Sequence, residues 1–99
     1  MKIFEGHGLS LHNRDNKYYI RYMAGEISSW LVEIEITPDE ARQVQISAER
    51  ANEVVYKYQN ICFAETGAYW RKSDFISAEE MRREGYMVAE GAKPPMQKE

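Results

Sequence analysis

The sequence predicts an α+β fold: an antiparallel β-meander of three or more strands packed against one main helix, with a short second helix near the C-terminus. Three observations carry this. The stretch KYYIRYMAGEISSWLVEIEIT alternates inward and outward residue types with period two on both of its arms. Thr37-Pro38-Asp39-Glu40 is a helix start, and apolar residues recur behind it at spacings of three and four. Ser77, with Glu80 three places on, opens a shorter helix that stops near Gly85. A chain of 99 residues supports one core. A single domain is therefore expected over residues 1–90, with the polar, proline-containing stretch 91–99 as a flexible tail.

In chain order, Lys2 to Phe4 forms an extra edge strand. LSLH and KYYI then flank Asn13-Arg14-Asp15-Asn16, a cluster of turn formers that predicts a hairpin. In the next hairpin Tyr18, Ile20 and Tyr22 share one face of their strand, as do Trp30, Val32, Ile34 and Ile36 of theirs. Residues opposite each other in antiparallel strands lie on the same face, so an even set meets an even set only across a loop of odd length. A three-residue loop at Ala24-Gly25-Glu26 satisfies this. It sets Ile20 opposite Trp30, Tyr18 opposite Val32 and Lys17 opposite Glu33. One face is then apolar and buried, and the other is a charge-paired outer face carrying Tyr19, Arg21, Leu31, Glu33 and Glu35.

Thr37 is a good N-cap, Pro38 is pre-set for the first helical position, and Glu40 reaches back to complete a capping box. Ala41, Val44, Ala48, Ala51, Val55 and Tyr58 form the stripe that lies on the sheet, with Asn60 as the stop. Ser47 falls inside that stripe, so the segment is either one helix or two, with Ser47 capping the second. The unbroken phase of the stripe favours one. Beyond it, ICFAETGAYWRK reads as two short strands around Glu65-Thr66-Gly67, and YMVA adds a last strand after the short helix. The tetrapeptide ISAE occurs at 46–49 and again at 76–79. Serine ahead of small and acidic helix formers suits a first helical turn, so it is punctuation and not a repeat.

The net charge of −3 is spread evenly, since residues 1–36, 37–60 and 61–99 each carry one more acid than base. No basic stripe exists, and direct nucleic-acid binding is not expected. Mild acidity suits a basic protein partner and equally suits solubility. The single Cys62 cannot form an internal disulfide, and MKIFEGHGLSLH has no signal-peptide core. No run approaches the roughly 18 apolar residues of a membrane span. A cytoplasmic location and no membrane partner are expected.

Chemistry-bearing residues are few. His7 and His12 are five apart and point to opposite faces of an extended stretch, so even with Cys62 no metal site is expected. Cys62, between Ile61 and Phe63, reads as a buried, inert thiol. Glu33 and Glu35 share one face of a strand, as acid–base pairs do, but on an open surface they suit recognition or solvation better. Gly6 and Gly8 in EGHG do not make a phosphate loop, and no cofactor is expected. Tyr19, Tyr56, Tyr69, Trp70 and Tyr86 exceed what the inward faces need. Tyr69-Trp70-Arg71 fits an interface and a half-buried edge strand equally well.

The succession of KYYIRYMAGEISSWLVEIEIT, the capped start TPDEA and the helix ending VVYKYQN resembles small immunity proteins of bacterial contact-dependent growth inhibition and related polymorphic toxin systems. The likeness covers roughly residues 15 to 65 and no shared motif anchors individual site residues. It implies a cytosolic antitoxin that acts by binding its cognate toxin domain, often a nuclease. The outer-face argument then places the partner-binding residues. Glu33 and Glu35 meet lysines or arginines of the toxin, while Tyr19, Arg21, Trp70 and Arg71 serve as aromatic and cationic anchors. The rivals are a phage or mobile-element inhibitor of a host defence complex and a small hydrolase using Glu33 or Glu35. A free edge strand would also permit self-association.

Overall fold

Strands β1 (Lys2–Gly6), β2 (Leu9–Arg14), β3 (Lys17–Ala24) and β4 (Trp30–Ile36) form one antiparallel sheet in the order β1-β2-β3-β4. Helices α1 (Pro38–Gln43), α2 (Ala48–Thr66) and α3 (Ala78–Arg83) follow, with a 3₁₀ turn at Lys72–Asp74 before α3. The computed structural model describes residues 1–24 and 30–94. The fold is α+β, as the sequence predicts. Of the expected tail, residues 95–99 lie outside the described residues, as do Gly25 and Glu26 of the expected hairpin loop.

Two tight turns shape the meander. His7 and Gly8 have φ of 55° and 83°, and Asp15 and Asn16 have φ of 56° and 65°. Two successive left-handed residues match the right-handed twist of the flanking strands. Asp and Asn are among the residues that tolerate that conformation best, which suits them to positions 15 and 16.

The β3–β4 register differs from the expected one. Ile20 faces Ile34, Tyr18 faces Ile36, Arg21 faces Glu33 and Ala24 faces Trp30. The slip is four residues along β4, an even number, so the facing parity of the strands is kept, although Trp30 at the start of β4 packs with Leu31 and Met81 and not with the apolar layer. The observed register gives Ile34 and Ile36 strand partners, whereas the shorter loop would leave the end of β4 without ladder bonds from β3.

Leu9, Leu11, Ile20, Tyr22, Ala24, Val32 and Ile36 fill one face of the sheet, under Ala41 of α1, Val44 at its C-cap, and Ala51 and Val54 of α2. The other face is an outer surface only in part, with Glu35 and Met23 exposed. Residues 75–88 fold across it, packing Met81, Ile76, Ala78 and Val88 on Trp30 and Leu31. Arg21 and Leu31 are consequently buried. The same segment seals the edge of β4: the Ile76 amide donates to Leu31 O at 3.1 Å, and Trp30 Nε1 donates to Ile76 O at 2.7 Å. The β1 edge carries a bulge between Lys2 and Phe4, and Lys2 pairs with Glu5 at 3.0 Å. Bulges and edge lysines both discourage strand-to-strand association.

Thr37 and Glu40 form the reciprocal capping box. The helix breaks after Gln43, however, and Ser47 caps α2 by accepting the Arg50 amide at 3.1 Å. The expectation of one continuous helix is thus corrected, and Ala48, assigned to the buried stripe, is exposed. The reason lies in Glu40. In an unbroken helix Glu40 and Lys57 would stand about 25 Å apart. With the break, Lys57 Nζ and Tyr58 Oη both donate to the buried Glu40 carboxylate at 2.6 Å.

α2 also runs past Asn60 to Thr66, ending on Gly67 at φ 80°, whose amide donates to Phe63 O. The two strands expected across ICFAETGAYWRK are absent: residues 61–66 are helical, and residues 68–71 form no strand. An αL glycine is a strong helix stop, and it outweighs the weaker signal of Asn60. The expected YMVA strand is likewise absent. Instead the Arg82 guanidinium donates to Val88 O and Ala89 O, which holds Val88 over the small cluster around Met81. Both ISAE copies prove to be helix caps, Ser77 accepting the Glu80 amide at 3.1 Å.

Candidate functional site

Arg21 stands at the centre of the covered face. Its side chain is 7% exposed, and it donates to three carboxylates: Nε to Glu33 at 2.9 Å, one terminal nitrogen to Glu84 at 2.8 Å and the other to Glu80 at 3.3 Å. Glu33 is held from its other side by Arg14 at 3.0 Å, and Arg14 lies over the Tyr19 ring at 4.2 Å. β-strand pairing puts Arg21 and Glu33 opposite each other, and α3 supplies Glu80, with Glu84 just past its end. Burial raises the Glu33 pKa, but the hydrogen bonds and charges of Arg14 and Arg21 outweigh it and hold the carboxyl below its usual value.

These contacts revise the predicted partner-binding set. Arg21 is buried and bonded to Glu33, Glu80 and Glu84, and Glu33 is bonded to Arg14 and Arg21. Glu35 is exposed and faces half-buried Tyr19 across the ladder. Trp70 packs against the core beneath the opposite face, 6.4 Å from the Phe75 ring, and Arg71 pairs with Glu65. The six residues thus fall into two groups on different sides of the sheet.

Several other polar groups are partnered within the chain. His7 Nδ1 lies 2.9 Å from Val44 O, and His12 Nε2 lies 2.8 Å from the Ser10 hydroxyl. Burial, reinforced by the Arg21 charge, lowers the His12 pKa and favours neutral imidazole. Glu40, like Glu33, is raised by burial and lowered further by its bonds to Lys57, the Thr37 amide and Tyr58, for a net depression. Cys62 is buried in α2, with its sulfur 3.6 Å from Thr66 Oγ1. An open pocket of about 300 Å³ lies between the sheet and the end of α3, lined by Ser10, Arg21, Leu31, Glu84 and Tyr86 among others. Of its charged lining residues, Arg21 and Glu84 are bonded to each other and Glu5 is paired with Lys2.

A different surface stands out on α2. Ala51, Val54 and Cys62 mark the side that faces the core. Directly opposite, helical spacing aligns Glu49, Glu53, Tyr56, Asn60 and Phe63, all exposed. Tyr56 is 58% exposed and Phe63 48%. Tyr69, also 48% exposed, stacks on Phe63 with ring centroids 4.9 Å apart, and Trp70 continues the row edge-on at 6.2 Å. Trp70 Nε1 is buried without a hydrogen-bond partner among the described residues. Tyr56, Tyr69 and Trp70 stand out in the sequence as surplus aromatics. Phe63 does not, because its place in the row depends on α2 running past Asn60; the spacing of 49, 53, 56, 60 and 63 is the signal that would have found it.

No family model matches this chain, and neither the curated proteins nor the solved structures include a match.

Proposed function

We propose that this chain is a non-catalytic binding protein of the immunity type, neutralising a cognate toxin domain by direct contact. The observation that carries this is the half-exposed pair Phe63 and Tyr69, stacked on each other at the end of α2, with Tyr56 exposed on the same stripe two turns earlier. Rings of this size left in water and pre-stacked on one another are what protein interfaces use as anchors. The hydrolase reading is weakened by Glu33, whose ionised form is locked by two arginines and which therefore makes a poor proton donor. A cytoplasmic location belongs to the same proposal.

The test is co-expression with the product of the neighbouring reading frame. A complex that survives purification, together with restored growth in cells making that product, supports immunity. A neighbourhood of phage genes and no growth rescue would move the reading to an inhibitor of a host defence complex. Absence of any complex would remove it.

A further inference from the structure

The outer stripe of α2 has two halves. Its N-terminal half presents Glu49 and Glu53, and its C-terminal half presents Tyr56 and Phe63, with Tyr69 stacked behind. Several acids elsewhere are paired within the chain, although Asp15, Glu35, Asp74 and Glu90 enter no ion pair among the described residues. Glu33, Glu80 and Glu84 share Arg21, Glu40 holds Lys57, Asp39 holds Arg42, and Glu65 holds Arg71. Among the described residues Glu49 and Glu53 enter no ion pair. Of the two cations within a turn of Glu53, Lys57 is drawn away to Glu40 and Arg50 projects from the flank of the helix without an ion pair.

We infer that this stripe docks onto a basic protein surface, with Glu49 and Glu53 against lysine or arginine side chains and the three rings in an adjoining apolar pocket. The inference rests on the binding role proposed above and deepens it by naming the surface and the chemistry of the partner. Helical rise fixes the spacing the partner must match. Its cations lie about 15 to 21 Å from the pocket that receives Phe63. The sign of the charge argues against nucleic acid and against anionic lipid. A second copy is a weaker fit, because the stripe itself offers acids and rings, with Arg50 on its flank as the one cation not already bonded among the described residues of α2. The ring of Phe63 is already ordered by Tyr69, so little side-chain freedom is lost on docking.

The two halves make separable contributions. Exposed acids act mainly on the rate of encounter and its salt dependence, while desolvated rings act mainly on dissociation. The probe is the purified domain encoded by the neighbouring reading frame, with association and dissociation measured at low and high salt. Phe63→Ala is expected to weaken binding about 30-fold or more through faster dissociation. The double variant Glu49→Lys, Glu53→Lys is expected to slow association about tenfold at low salt and to flatten its salt dependence. Met87→Ala, at an exposed position elsewhere, leaves both rates unchanged. Thermal melts confirm folding, and Tyr56→Ala, a ring on the open side of the helix, serves in place of Phe63→Ala if that variant is unstable.

Tight binding by the wild-type chain that ignores all of these α2 substitutions overturns the docking surface and leaves the binding role intact. No binding by the wild-type chain overturns both. A concentration-dependent dimer that Phe63→Ala abolishes assigns the stripe to a second copy and overturns the basic partner.

Discussion

Leu11, Ile20 and Val32 on one face of the sheet, and Arg21 with Glu33 on the other, come from the same three strands, and both sets are withdrawn from water. On the first face α1 and α2 cover a continuous apolar layer. On the second, α3 and its flanks cover only a small apolar cluster around Leu31 and Met81, and beside it a cation shared by three carboxylates. Apolar burial is non-directional and tolerates imperfect geometry. A buried ion cluster is net stabilising only while every member is paired, because each charge has lost its hydration. The six-residue α3 is too short to be stable alone. Its position is set by Ser77 at its start, Met81 beneath it and the acids it offers to Arg21.

The largest expected effects set the two faces against each other. Arg21→Ala leaves three carboxylates without their shared cation and is expected to cost about 3–5 kcal/mol. Leu11→Ala, on the apolar face, is expected to cost about 2–5 kcal/mol. Urea unfolding measures both. What separates the faces is repair: Arg21→Met combined with Glu33→Leu should recover most of the Arg21→Ala loss, since Glu80 and Glu84 can turn to solvent. If the double variant is no more stable than Arg21→Ala, the ionic account of the second face fails.

A smaller effect appears on acidification. The His12 pKa is lower in the folded chain than the ordinary 6.5. Between those values the unfolded chain binds the proton more readily, so stability falls as pH drops below about 6.5. Glu33 and Glu40 are depressed below 4.5. Their contribution is fully present above that value and is lost as pH falls through the folded pKa values. The expected profile of stability against pH therefore descends in two stages. His12→Gln should abolish the upper stage and spare the lower one, and a single acid transition in the wild-type chain would contradict the assignment.

The smallest effect concerns the helix break. Ser47→Ala and Ser77→Ala each remove a side-chain cap and should cost about 1 kcal/mol. Amide exchange then discriminates between the two faces. Losing the Ser77 cap should speed exchange in α3 and leave α2 protected, and losing the Ser47 cap should affect the first turn of α2 alone.

Much of the fold was legible because it depends on neighbours in sequence. Alternation assigned Ile20 and Val32 to one face and Arg21 and Glu33 to the other, and parity survived a register slip of four residues. Thr37, Ser77 and Gly85 marked helix ends through local hydrogen-bonding needs. The site was less legible. Glu33 and Arg21 look like surface charge until Glu80 and Glu84 arrive from some sixty residues away, with Arg21 to Glu84 spanning 63 positions. The aromatic row was half visible, since Tyr56 and Tyr69 were surplus to the core, but Phe63 joined them only once α2 was known to continue to Gly67.

By itself, then, the sequence determined periodicity, caps and which side chains share a face, because strand pleat and helical pitch are local geometry. Tertiary structure decided which face stays open. It broke the helix at Ser47 so that Glu40 could meet Lys57, laid α3 over the charged side of the sheet, and left the far side of α2 uncovered. Those outcomes turn on the cost of burying a charge without its partner, and the partners lie too far along the chain for any local pattern to announce them.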